Sequence, residues 1–160
     1  MDPSPAQMFL VNDRINQILI EQLDPAVWKA APPRRVRTIA AIFTHMHNVR
    51  CKWIRLNAVN LKIPPLLNRA RCTPQQAQAT LAESAARCAE MLADSSMTTF
   101  LRDSWAQRWP VGPQMLCYMV AHEAHHRGQV CMVAHQLRFP LPADVTSAMW
   151  NWEKFPIAAE

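Results

Sequence analysis

Glycine is almost missing from this chain, with two residues in 160. Sheet proteins spend glycine on hairpin turns that need positive φ, so this scarcity argues against a strand-built architecture. No stretch reaches the roughly 18 consecutive apolar residues of a membrane-crossing helix. The start, Met1-Asp2-Pro3-Ser4-Pro5, lacks the basic-then-apolar layout of a secretory leader, and a cytoplasmic protein with no membrane partner is expected. The cysteines, Cys51, Cys72, Cys88, Cys117 and Cys131, are odd in number and form no CxxC pair. Reduced, buried thiols are expected rather than a disulfide framework. The formal net charge is +5, yet the basic residues are dispersed. Arg34, Arg35 and Arg37 form the only cluster, and no aromatic residue interleaves it, so no nucleic-acid partner is expected.

Proline, by contrast, is plentiful at 13 residues and falls between apolar-periodic segments. That pattern predicts helices separated by proline stops, in one domain spanning residues 1–160. The first helix runs from about Pro5 to Leu23, with Ser4 as cap and Gln7 completing a capping box. The second runs from about Arg34 to Val59, between Pro32-Pro33 and Pro64-Pro65, and Ile42, Met46, Val49, Trp53 and Leu56 share one face. The third starts at Thr73-Pro74 with Gln76 as box partner. A long connector, Asp94 to Gly112, carries Phe100, Leu101, Trp105 and Trp109 and is expected to pack across the bundle. The fourth helix runs from about Pro113 to Leu137. The tail from Leu141 to Phe155, with Trp150 and Trp152, is expected to fold back as a short aromatic cover. The expected fold is therefore an all-α four-helix bundle of up-down-down-up type.

Chemistry concentrates in the fourth helix, at His122-Glu123-Ala124-His125-His126-Arg127-Gly128-Gln129. His122 and His126 are four apart, about 40° apart on one helical face, and that face is apolar. Burying two unpaired imidazoles is costly, whereas one metal ion satisfies both. Tyr118 and Gln129 lie about one turn to either side on the same face. The run also reads HExxH, in which Glu123 would be the general base of a zinc protease. The context opposes that reading. Gly128 lies two residues after the second histidine rather than three, His135 lies nine after rather than six, and Glu153 sits in the aromatic tail. A third ligand is expected from the second helix, since mid-helix residues of a bundle face one another. His45 borders the apolar stripe and is the better candidate; His47, about 200° away around the helix, is the competitor. Three histidines leave a coordination position open, as in a catalytic site, and imidazole suits zinc, nickel or iron.

These residues resemble the DinB/YfiT-like superfamily of bacterial metal-binding four-helix bundles, unrelated to the DNA polymerase of similar name. The resemblance covers nearly the whole chain. It rests on Asn12 and Asn16, on His45-Met46-His47-Asn48-Val49-Arg50 with Trp53, on the His122–Gln129 run, and on Leu141-Pro142 leading to Met149-Trp150-Asn151-Trp152. It implies one metal ligand from the second helix and two from the fourth: His45, His122 and His126. An aromatic residue eight positions after the first ligand fits Trp53 to His45. It also implies a homodimer and small-molecule substrates. Characterised relatives are thiol-dependent transferases or isomerases, so metal-dependent S-transfer of a low-molecular-weight thiol to a small electrophile is the implied activity. The alternatives are a non-catalytic metal-binding stress protein and, further off, a metal-dependent hydrolase. Tyr118, Gln129, Glu123 and His47 are the expected neighbours of the metal or substrate, and Arg50 and Arg127 are possible anion-binding groups. In a closed, structural site His47 or Glu123 would supply a fourth ligand.

Overall fold

The computed structural model describes residues 3–32, 36–94 and 112–155. Four long helices dominate: α1 (Pro5–Gln22), α2 (Ile39–Asn57), α3 (Pro74–Ala93) and α4 (Pro113–Gln136). A fifth, α5 (Ala143–Ala148), is short, and single 3-10 turns occur at Pro25–Val27 and Trp152–Lys154. There is no strand among the described residues.

The helix starts follow from local chemistry. Ser4 Oγ accepts the Gln7 N–H at 3.3 Å while the Gln7 side chain accepts the Ser4 N–H at 2.8 Å. Thr73 and Gln76 form the same reciprocal pair at the head of α3. Each pair satisfies two of the donors that a helix start leaves orphaned. The second helix begins later than the proline pair suggests, at Ile39 rather than Arg34. Thr38 is the reason, because its hydroxyl accepts the Ala41 N–H at 3.2 Å and caps the helix there. Arg34 and Arg35 of the basic cluster lie outside the described residues, as do Phe100, Leu101, Trp105 and Trp109 of the connector. The end of α4 closes with Phe139 N–H bonded to Ala134 O and Arg138 N–H to His135 O, with Arg138 at φ 68°. This is a Schellman ending with arginine where glycine is usual.

The chain directions can be read from which residues meet. One apolar cluster joins Leu19 and Ile20 of α1, Ile39 to Met46 of α2, Ala77 and Leu81 of α3, and Val130 to Ala134 of α4. A second joins Phe9, Val49 to Leu56, Ala85 to Leu92, and Met115 with Met119. The end of α1 thus meets the starts of α2 and α3 and the end of α4. The topology is up, down, down, up, with α3 and α4 each packed against both α1 and α2.

Between the two clusters the core is polar. Asn12, Asp13, Asn16, Arg50, Glu123 and Arg127 are all buried at this level. The tail covers one end only in part. Leu141 and Met149 pack against the first cluster, but Trp150 is 82% exposed. The expectation of buried thiols holds for Cys51, Cys72 and Cys88, while Cys131 is half-buried and Cys117 is exposed on the outer face of α4; all five are free. Among the described residues, no helix is long and apolar enough to cross a membrane.

Candidate metal centre

The middle of the bundle brings three histidines together. One ring nitrogen from each of His45, His122 and His126 lies within 4.8 Å of the other two. The His122 and His126 rings come from successive turns of α4, and their Nε2 atoms are 3.2 Å apart. Two nitrogens bound to one tetrahedral zinc at about 2.05 Å would be about 3.3 Å apart. The His45 ring, from α2, sits 4.7 Å from the His126 ring, centre to centre, and nearly perpendicular to it.

Hydrogen bonding selects the form of these rings. Gln129 Oε1 lies 2.8 Å from His126 Nδ1, so Nδ1 carries the proton and donates it, leaving the Nε2 lone pair facing His122. Gln129 is itself held, because its amide nitrogen donates to His125 Nε2 at 2.9 Å. Nδ1 of His122 is buried with no hydrogen-bond partner among the described residues. Burial is the leading reason that His45 and His122 are both lowered to about 4; the Arg37 charge and the nearby His126 ring add to it at His45, and His126 adds to it at His122. His126 is also lowered, again mainly by burial. All three are therefore neutral near pH 7, which is the form that ligates a metal. Trp53 and Tyr118 close one side of the group, with the Trp53 ring 5.4 Å and the Tyr118 ring 6.3 Å from the His122 ring. Nitrogen donors, neutral forms, a fixed tautomer and tetrahedral-edge spacing all fit a divalent cation. Among the described residues no fourth His, Cys, Asp or Glu joins the group.

The other residues singled out from the sequence lie elsewhere. His47 is fully buried on another side of α2. Its Nε2–H donates to Pro65 O at 2.9 Å, and its Nδ1 accepts from the Ser84 hydroxyl at 3.2 Å. With both nitrogens engaged it is a structural residue, neither ligand nor substrate contact. Glu123 does not face the histidines either. Its Oε1 accepts Arg50 Nε at 2.6 Å, and its Oε2 accepts Arg50 Nη2 at 2.8 Å and the Asn12 and Asn16 amides at 2.7 Å each. Four donors hold this carboxylate as a structural anion, and Arg50 holds its pKa below the usual range against the opposing effect of burial. Glu123 is therefore neither ligand nor free base here, though its charge still acts on His122 and His126 from the adjoining layer.

The anion-binding reading of Arg50 is corrected in the same way. Arg50 is 0% exposed, and its Nη1 also reaches Asp13 Oδ1 at 2.7 Å and Leu81 O at 2.8 Å. Arg127 donates to Asn12 Oδ1 and Asn16 Oδ1 at 2.8 and 3.0 Å. Arg50 is thereby closed to a substrate anion, whereas Arg127 is engaged through Nη1 and also lines a separate cavity beside Gly128, Cys131 and Trp150. The apolar periodicity of α4 predicts that Tyr118, His122 and Gln129 share its buried stripe. The buried residues instead centre on Met119, Glu123, His126, Arg127 and Val130, which puts His122 at the edge, half-buried.

With this arrangement in place, the DinB family model matches residues 5–154. The chain belongs to the DinB family. No curated protein and no solved structure matches it. The family assignment agrees with the all-helical bundle and with a histidine group able to hold a metal ion.

Proposed function

We propose that this DinB protein holds one zinc, nickel or iron ion at His45, His122 and His126, and that it transfers a low-molecular-weight thiol to a small electrophile. The observation that carries this reading is the 3.2 Å approach of two imidazole nitrogens, beside a third and without a fourth protein ligand among the described residues. A cation with an open position lowers the pKa of a coordinated thiol and keeps it as the thiolate. The chain's own residues do the rest. Three neutral imidazoles offer lone pairs, Gln129 fixes the His126 tautomer, and Trp53 with Tyr118 walls one side against water.

Thiol chemistry comes from the family resemblance, while the open ligand position supports a reacting rather than a purely structural ion. His47 and Glu123 were the side chains able to close the site, and both are bonded elsewhere. The same engagement of Glu123 removes the base that an HExxH hydrolase needs. A homodimer with small-molecule substrates belongs to this reading, and sedimentation of the purified protein tests the assembly.

The first experiment is metal analysis of the purified protein with single alanine variants, paired with an assay of thiol consumption in the presence of an alkyl halide or epoxide. About one ion per chain is expected, lost in His45→Ala, His122→Ala and His126→Ala and kept in His47→Ala. Full metal content in His126→Ala would sink the ligand set. Metal without thiol consumption, across a panel of thiols, would leave a non-catalytic metal-binding protein.

A further inference from the structure

A cavity of about 380 Å³ lies one turn beyond the histidines, on the side away from Trp53 and Tyr118, and reaches Gln129, the partner of His126. It is lined by Arg37, Ile42, Gln129, Met132, Val133 and Gln136 among others. Its position relative to the histidines follows from the helices. Ile42 precedes His45 by three residues on α2, and Gln129 and Val133 follow His126 by three and seven on α4. Gln129 belongs to both places, since its carbonyl oxygen accepts from His126 while the residue lines the cavity. The volume is in the range of small-molecule sites. The wall is mostly apolar, from Ile42, Met132 and Val133, with two amides and one charge. That charge is Arg37, the only ionisable residue lining the cavity among the described residues. No carboxylate among the described residues pairs with it.

We propose that this cavity binds the electrophilic substrate, and that the substrate is an apolar body carrying a carboxylate that Arg37 reads. This rests on the histidine group being the reacting centre. An apolar body fills the Ile42–Val133 wall, and the carboxylate accepts from the Arg37 guanidinium in the paired geometry that arginine favours. The reactive carbon is then directed toward the histidines across Gln129. Arg50, consumed by buried partners, and Arg127, which lines a different cavity beside Gly128 and Cys131, do not line this one.

The test is calorimetric binding of 4-phenylbutyrate against its neutral twin, 4-phenylbutanamide, to the metal-containing protein. The wild type is expected to prefer the carboxylate about tenfold. Arg37→Gln should reduce that preference to about twofold or less with metal content unchanged, which also excludes direct ligation of the ion as the source. Met132→Trp, at a position 63% exposed and thus safe for folding, should weaken both ligands by narrowing the cavity. Equal binding of the pair, no binding of either, or a preference that survives Arg37→Gln would each overturn the proposal. Failure of the transferase reading looks different: no thiol is consumed, yet the carboxylate preference and its dependence on Arg37 are still measured.

Discussion

Two groups of polar side chains share the middle level of the bundle, and they are built on opposite principles. In the layer around Glu123, the carboxylate and the Arg50 guanidinium are answered from within. One carboxylate takes four hydrogen bonds, from α1 and α2, and the guanidinium that supplies two of them also spans to Asp13 and to a backbone carbonyl of α3. In the neighbouring histidine group, ring nitrogens converge on one another and no further His, Cys, Asp or Glu among the described residues joins them. The first arrangement closes on itself and gives structure. The second is incomplete and gives a site. Both use residues of one heptapeptide on α4, and a rotation of about 100° between His122 and Glu123 separates the two roles.

The sharpest way to break the contrast is Glu123→Ala. It strands Arg50 and two amides in the interior, and we expect a loss of about 3–5 kcal/mol, the range for a buried ion pair broken from one side. Urea denaturation measures it, and a change below about 1 kcal/mol would make the layer incidental. A smaller effect separates the buried His47 from the half-buried His45. His47→Ala should lower stability by about 1–3 kcal/mol through its lost hydrogen bonds and leave metal content intact. His45→Ala should do the reverse, abolishing metal binding with little change in the stability of the metal-free protein.

The third test is pH. In the metal-free protein His45 and His122 titrate at about 4 against an unfolded value of 6.5, so below pH 6.5 the unfolded chain binds protons that the folded one does not. Stability should therefore decline as pH falls from about 6.5 towards 4. Metal should flatten that decline or displace it to lower pH, read as melting temperature with and without the ion. The smallest expected effect lies on the outer face of α4. A Cβ at Gly128 would meet nothing within 4 Å, so Gly128→Ala should stabilise the protein by about 0.5–1 kcal/mol without changing metal content.

The same contrast explains what could be read from the sequence. The helix starts were legible because capping is local. Ser4 with Gln7, and Thr73 with Gln76, sit three residues apart and act on their own backbone. The histidine group was legible because two of its members share a helix face and the third borders an apolar stripe. The Glu123 layer was not. Its partners come from Asn12, Asn16 and Arg50, more than seventy residues away, and a pattern of apolar residues assigns charged side chains to solvent. The rotation of α4 was misjudged for that reason. The family resemblance contains Asn12, Asn16, Arg50, Glu123 and Arg127, but nothing in their spacing pairs them with one another.

The split of the core into two apolar clusters has a consequence for how the chain finds its register. Greasy helix faces tolerate sliding, since leucine against methionine costs little one turn out of step. A slip of α4 by one turn, about 5.4 Å, would bring either Met119 or Arg127 to the place of Glu123. The first leaves the Arg50 fork empty and the second sets two guanidiniums face to face. The layer thus works as a key that admits one alignment, and the three imidazoles meet only in the alignment it admits.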